Sequence, residues 1–341
     1  MPTFRTLRVA ELISERPGLQ RVRLDDGSRA YAVTALVGEI SVGDEVVVNT
    51  TAVDLDLGTG GWHVVHWNLA RSELHIPGPG HIMKLRYTST QIDTGAAEED
   101  IDGLTPGIPH LGGTPVVTGS LHSQLGVVAA VVGHLRPGTR VSYVMTDGGA
   151  LPMALSDLVA SLRESALLTG TVTAGQAFGG EHEAVSVASA LQIATELQQA
   201  ELIMCAMGPG VVGTGTALGT TALEVASVLS FAHHLGARPI AVVRASEADA
   251  RDRHRGISHH TTTALAMTDV PVDVPVPPEL VSTARDRLVT HRVIEVPPPD
   301  VEAVLGAAQL TVTTMGRGPA DDPLSFRTVA AAATHAVNSI P

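Results

Sequence analysis

Five glycines fall within twelve residues in the stretch IMCAMGPGVVGTGTALGTT: Gly208, Gly210, Gly213, Gly215 and Gly219. They follow directly on an apolar run that ends at Met207. Glycine allows close backbone approach, and a glycine-rich turn between a strand and a helix turns N–H groups toward an anion. The first four are read as a backbone cradle for a small anionic or phosphorylated ligand. GPGVVG is also a literal G-x-G-x-x-G, the dinucleotide fingerprint. Two features oppose that reading: a proline separates the first two glycines, and the glycines run on so that a helix is expected only near Thr220. Arg244, not an acid, follows the next apolar run, which leaves an NADP-linked oxidoreductase as an alternative if Arg244 and Ser246 receive a 2′-phosphate. No lysine follows the glycines, which excludes a Walker-type loop.

Other reactive groups collect in short clusters: Ser120 and His122 in GSLHSQ, Asp147 in TDGG and Glu181 in GEHE. A basic stretch contains Arg251, Arg253, His254, Arg255, His259 and His260. Ser120 could act as a nucleophile with His122, His182 or His259 as base and Asp147 or Glu181 as acid. No G-x-S-x-G elbow accompanies it. Arg244 and Arg255 would neutralise ligand charge, while Asp147, Glu181 and His259 would serve as acid–base or orienting groups. The acids of GEHE also fall where a helix is expected to begin, and acids are favoured there by the helix dipole alone. No metal site is expected, because His pairs at i, i+4 are missing and adjacent His259 and His260 should face different sides of a helix. No cofactor is named by these residues.

The elements that must position these groups follow two rhythms. Residues 1–75 hold short β-type runs such as QRVRL, RAYAVTAL and DEVVVNTT, broken by RPG, DDG, SVGD and LGTGG, and predict a small antiparallel barrel-like module. Residues 76–114 read as a linker with one short strand. From 115 to 341, PVVTG, RVSYVMT, LTGTVTA, AELIMCAM and RPIAVVR alternate with helical segments, giving a three-layer αβα, Rossmann-like domain around a mainly parallel sheet. HRVIEV and an Ala-rich C-terminal segment, broken at GRGPADDP, complete it. Ligands of such sheets sit beyond the carboxyl ends of the strands. Every cluster above follows a predicted strand end.

Apolar residues make up 44% of the 341-residue chain and aromatics 3%, so an aliphatic core is expected and base-stacking platforms are disfavoured. A net charge of −13 repels a nucleic-acid backbone. The single Cys205 lies in an apolar run and reads as a small buried hydrophobe. With no leader or membrane span recognisable, a cytoplasmic, soluble protein is expected, its partners a small anionic molecule and further copies of the chain. A non-enzymatic oligomeric assembly protein is the other alternative.

Seven ordered strings, VGDEVVVNTTAVDLDLGTGG, GHIMKLRYT, GSLHSQL, TDGGALP, MGPGVVGTGT, RGISHHT and TMGRGP, resemble a bacterial family known as domain of unknown function family 3866, found in actinobacteria and firmicutes. The resemblance spans nearly the whole chain. It implies no particular activity, cofactor or catalytic residue.

Overall fold

Alternating burial along the first strands dictates a closed barrel. Val22 and Leu24, Ala30 and Ala32, and Val46 and Val48 are buried at every second position, and with Val9 and Val65 they form one apolar interior. In a computed structural model describing residues 1–57, 60–149 and 151–341, these side chains belong to strands β1 (Phe4–Arg16), β2 (Leu19–Leu24), β3 (Arg29–Val33), β4 (Glu45–Asn49) and β5 (Trp62–Asn68). The barrel order is β1-β2-β3-β5-β4. The long β1 pairs with β4 through its first half and with β2 through its second, and register shifts after Val9 and Leu12 mark its bend. Pairing is antiparallel except for β3 with β5, which is parallel. Short helices α1 (Thr34–Val37) and α2 (Thr51–Asp54) replace the ends of two expected strands. Gly58 and Thr59 of the expected LGTGG turn lie outside the described residues. A two-stranded ribbon, β6 (Met83–Lys84) with β7 (Ile92–Asp93), belongs to the same compact unit, Met1–Gly95.

The second unit, Ala96–Pro341, is built on an eight-stranded sheet, every pairing of which is parallel. Its strands are β8 (Pro115–Thr118), β9 (Val141–Thr146), β10 (Gly170–Ala174), β11 (His182–Ala184), β12 (Leu202–Met207), β13 (Arg238–Ala241), β16 (Asp273–Val276) and β17 (Arg292–Glu295). A small antiparallel pair, β14 (Ala245–Ser246) with β15 (Gly256–Ile257), lies between β13 and β16 in sequence. The sheet order is β11-β10-β9-β12-β8-β13-β16-β17.

The helices are α3 (Gln124–Leu135), α4 (Asp157–Glu164), α5 (Val187–Glu196), α6 (Glu224–His234), α7 (His259–Ala266), α8 (Val281–Arg287), α9 (Val301–Ala307) and α10 (Pro323–Val337). All six residues of β12 are buried. Leu202, Met204 and Ala206 pack with α3, α9 and α10, whereas Ile203 and Cys205 pack with α5 and α6. This period-two split explains why LIMCAM is apolar throughout. Cys205 is fully buried, and burial raises its thiol well above the usual range, as suits a packing residue.

Two expectations are corrected here. Residues 182–184 do not open a helix; they form β11, and the helix begins only after Ser186, whose side chain caps Ser189 N–H. Ala184 therefore belongs to a strand. The basic stretch is likewise not one helix. It is a short 3₁₀ turn (Asp252–His254), then β15, then α7.

Leu191 is completely buried where α5 covers β9 and β10. Leu191→Ala is expected to lower stability by about 2–5 kcal/mol through lost burial and the cavity left behind. Urea unfolding should show an earlier midpoint with an unchanged slope.

Candidate functional site

Outgoing connections fix where a ligand can sit. β8 and β12 are neighbours, yet α3, which follows β8, covers one face of the sheet and α6, which follows β12, covers the other. Helices leaving adjacent strands to opposite faces open a crevice beyond the strand tips. The segment after β8 and the glycine loop after β12 meet there. With Leu158 and residues 311–315 they enclose a hollow of about 360 Å³, lined by His122, Ser123, Pro209, Gly210 and Val211.

The glycine loop runs along this rim by backbone approach. A Cβ on Gly149 would strike the Gly208 carbonyl, and one on Gly148 would strike the Glu224 carboxylate. Gly210 adopts φ +106°, a conformation that favours glycine. A Cβ on Gly213 would lie 2.6 Å from His260 Cε1 and 2.9 Å from its Nε2, while Gly215 faces open space. The rest of the loop folds on itself: Thr214 N–H donates to the Gly219 carbonyl at 2.8 Å and Thr221 N–H to the Val212 carbonyl at 2.9 Å. Thr220 then caps Ala222 N–H and α6 follows, so the helix begins where the sequence indicated.

His122 is held at both ring nitrogens. Ser156 Oγ, the N-cap of α4, accepts Val159 N–H at 3.0 Å and lies 2.6 Å from His122 Nε2. His122 Nδ1 is 3.1 Å from Tyr143 Oη, whose proton is shared between the Ala206 and Met207 carbonyls, each at 3.1 Å. The network is closed if Ser156 donates to Nε2 and Nδ1–H donates to Tyr143. Burial brings the imidazole pKa down to about 4, against a smaller opposing pull from the Met207 carbonyl. Ser120 stands two residues away, buried, and its hydroxyl has no hydrogen-bond partner.

Asp147 follows β9 and accepts Gln176 N–H at 3.0 Å, and its carboxylate sits where a side chain on Gly175 would be. Its charge acts on Glu224, the first residue of α6. Burial first, then Asp147, raises the Glu224 carboxyl to about 7, with the Thr146 hydroxyl and Gly148 N–H pulling the other way. Glu224 was not among the residues singled out from the sequence, because an acid at a helix start is ordinary.

Beyond β13 the basic stretch gathers around Asp249. Arg251 grips this buried carboxylate through two 2.9 Å bonds, Arg317 lies 3.6 Å and Arg244 4.0 Å from it, and Arg255 Nε donates to its backbone carbonyl at 3.0 Å. The Arg251 hydrogen bonds hold the Asp249 carboxyl well below its usual range. Arg244 is itself buried, and its Nη1 lies 3.2 Å from His260 Nδ1. Its backbone also accepts Ser258 N–H and donates to Thr261 Oγ1, which pins the start of α7 to the end of β13.

The rings of His254, His259 and His260 lie 4.3–5.0 Å apart by centroid. The expectation that His259 and His260 face apart is corrected. Side chains lean toward a helix's N-terminus, so the first two residues of α7 both project beyond its end. Burial and then the Arg244 charge lower His260 to about 3, and burial with the same arginines lowers His254 to about 4. Guanidinium can only donate, so Nδ1 of His260 accepts and Nε2 carries the proton. That N–H is buried without an acceptor, and His259 Nε2 is likewise buried and unpartnered. Donor atoms of the three rings lie within 4.8 Å of one another, a spacing that one metal ion could bridge. A ligating imidazole, however, hands its second N–H to an acceptor, and the arginine on His260 supplies a donor there instead. The cluster is better suited to an anion.

Among the residues chosen from sequence, Ser120, His122, Asp147, Gly208, Gly210, Gly213, Gly215, Arg244 and Arg255 fall in loops beyond the carboxyl strand ends, and His259 opens α7 there. Glu181 does not. It immediately precedes β11, whose His182 pairs with Val172, so Glu181 lies level with the amino end of β10. There it accepts Thr171 N–H at 3.2 Å and pairs with Arg163. Arg255 is in place but mostly exposed, and neither it nor Arg244 lines the hollow. Ser156 and Tyr143 were missed; nothing in the local sequence distinguishes a capping serine or a strand tyrosine from ordinary ones.

Glu224 generates a pH test. Its folded pKa is raised, so its contribution is fully present below about 4.5 and is lost as pH rises through about 7. Glu224→Gln should therefore raise Tm relative to the natural protein at pH 8 by more than at pH 5. An equal difference at both pH values would refute the assigned environment.

No curated protein matches the chain significantly. Residues 29–333, most of the sequence, match the family described as "Protein of unknown function (DUF3866)". With the barrel, the parallel sheet and the rim loops that carry the family strings all in view, the chain belongs to that family.

Proposed function

We propose that the protein binds a small anionic molecule, bearing a phosphate or carboxylate, at the carboxyl rim of its parallel sheet, and that it catalyses hydrolysis or group transfer on it. The supporting observation is the buried Nε2–H of His260, which lacks an acceptor and lies beside Gly213. A buried donor left unpaired costs about 1–3 kcal/mol, which an anion oxygen would recover. Arg244 and Arg253 act on His260 with positive charge, and Arg251 and Arg317 meet Arg244 on Asp249, on an otherwise acidic chain. The exposed Gly215 keeps the loop open beside it.

The NADP-linked alternative is less well supported. In the dinucleotide motif the helix starts at the glycines, whereas here helical structure begins at Thr221. Arg244, the residue that would meet a 2′-phosphate, is buried against His260 and Asp249.

Isothermal titration with inorganic phosphate and with pyrophosphate tests the proposal. The natural protein should bind at least one of them, and Gly213→Ala should weaken binding by roughly tenfold or more, because the new Cβ crowds His260. Binding of neither anion, or equal binding by the variant, would refute it. A variant that changes oligomeric state in a protein that binds neither anion would favour the assembly alternative.

A further inference from the structure

Ser156 was not selected from the sequence, and it is buried outside the lining of the hollow, yet its contacts are those that activate a nucleophile. Its Oγ lies 2.6 Å from His122 Nε2, and the far nitrogen of that ring is fixed by Tyr143 at 3.1 Å. A hydroxyl on a base that is oriented by a third group is the arrangement that activates a serine. Ser120, the serine favoured from sequence, has no such base, since its Oγ is unpartnered. A capping role requires Ser156 only to accept Val159 N–H, at 3.0 Å, and leaves its own proton to be aimed. That proton is aimed at a ring which lines the 360 Å³ hollow, and Leu158, two residues along, lines it too. Leu121, Val211 and Val312 make the remaining wall largely apolar.

We propose that Ser156 is a nucleophile for carboxylic esters whose acyl part occupies this hollow, with His122 as its general base and Tyr143 as a positioning residue. Ser156 Oγ attacks the carbonyl carbon as its proton passes to His122 Nε2. The ester C–O bond then breaks, and the leaving oxygen takes that proton to depart as an alcohol. Water next attacks the acyl-serine, giving a proton to His122, and Ser156 leaves with it to release the carboxylic acid. Tyr143 is completely buried, and burial keeps its phenol neutral. It therefore accepts Nδ1–H and holds the tautomer that leaves Nε2 free to receive the proton. This inference rests on the function proposed above only for hydrolysis as the reaction class; its substrate, an ester, is not the anion proposed there, and its site is separate.

The test is labelling of the folded full-length chain with phenylmethylsulfonyl fluoride, read by peptide mass mapping, alongside turnover of p-nitrophenyl acetate. One sulfonyl adduct is expected, on Ser156. Ser156→Asp retains a helix cap but should give neither adduct nor turnover. His122→Gln should slow labelling by about a hundredfold or more, the usual worth of a general base. Tyr143→Phe should lower kcat for the ester while leaving KM unchanged. An unlabelled natural protein, an adduct on another residue, or labelling unaffected by His122→Gln would overturn the proposal. Phosphate titration on the same samples separates the two readings: labelling without phosphate binding sinks only the anion site, and phosphate binding without labelling sinks only the nucleophile.

Discussion

Backbone-to-backbone approach along the glycine loop is the constraint on which the rim depends. Gly149 lies against the Gly208 carbonyl, Gly148 against the Glu224 carboxylate and Gly213 against the His260 ring, each too close for a Cβ. Side chains at these points would push the tips of β9, β12 and α7 apart. One segment, residues 208 to 220, thus touches Gly149 after β9, the hollow beside His122 and His260 of the histidine–arginine cluster in turn. Glycine is a poor choice for stability, because it loses the most conformational freedom on folding. Its concentration here reflects geometry that no other residue permits.

The same rim carries a second departure from what stability alone would select. Thr118 and Ser120, at and just past the end of β8, have buried hydroxyls with no partner. Such groups cost about 1–3 kcal/mol each when left unsatisfied. At the amino end of the sheet Glu181 is engaged by Thr171 and Arg163, and Glu201 by Arg140 and Arg136, while Ser142 Oγ and Gln198 Oε1 are buried there without a partner.

Much of this was legible in the chain itself. LIMCAM, apolar without alternation, announces a strand buried on both faces, and β12 is one. The shift from short β-runs to strand–helix alternation gives the barrel and the parallel sheet in order. Legibility fails where the local signal and the tertiary role part company. DVPV, flanked by further prolines, is not among the runs read as strands, yet it forms β16, which joins β13 through a single residue pair, Ile240 with Asp273, and β17 through four. Glu181 follows β10 in sequence yet stands at its amino end in space, because the intervening turn carries the chain back to start β11 in parallel. Adjacent histidines at a helix start obey end geometry, not the 3.6-residue period. Ser156 shows the converse: nothing about its neighbours is unusual, and only the fold reveals the imidazole beside it.

Electrostatics binds these parts together. The chain carries a net charge of −13, yet Arg244, Arg251, Arg255 and Arg317 converge on Asp249. Asp249 and the fully buried Asp322 offset only two of these four charges, and they fix guanidinium positions at the edge of the rim. The histidines inside that field stay uncharged, since burial and the adjacent arginines both disfavour imidazolium. Under the proposed anion binding, recognition by this cluster would rely on oriented neutral N–H groups backed by permanently charged arginines. A site that relied on imidazolium would lose its charge across the physiological range. Arginine and a fixed imidazole tautomer keep both charge and direction constant there. In such a site selectivity comes from where the donors point, and the glycine loop decides how closely an acceptor can approach them.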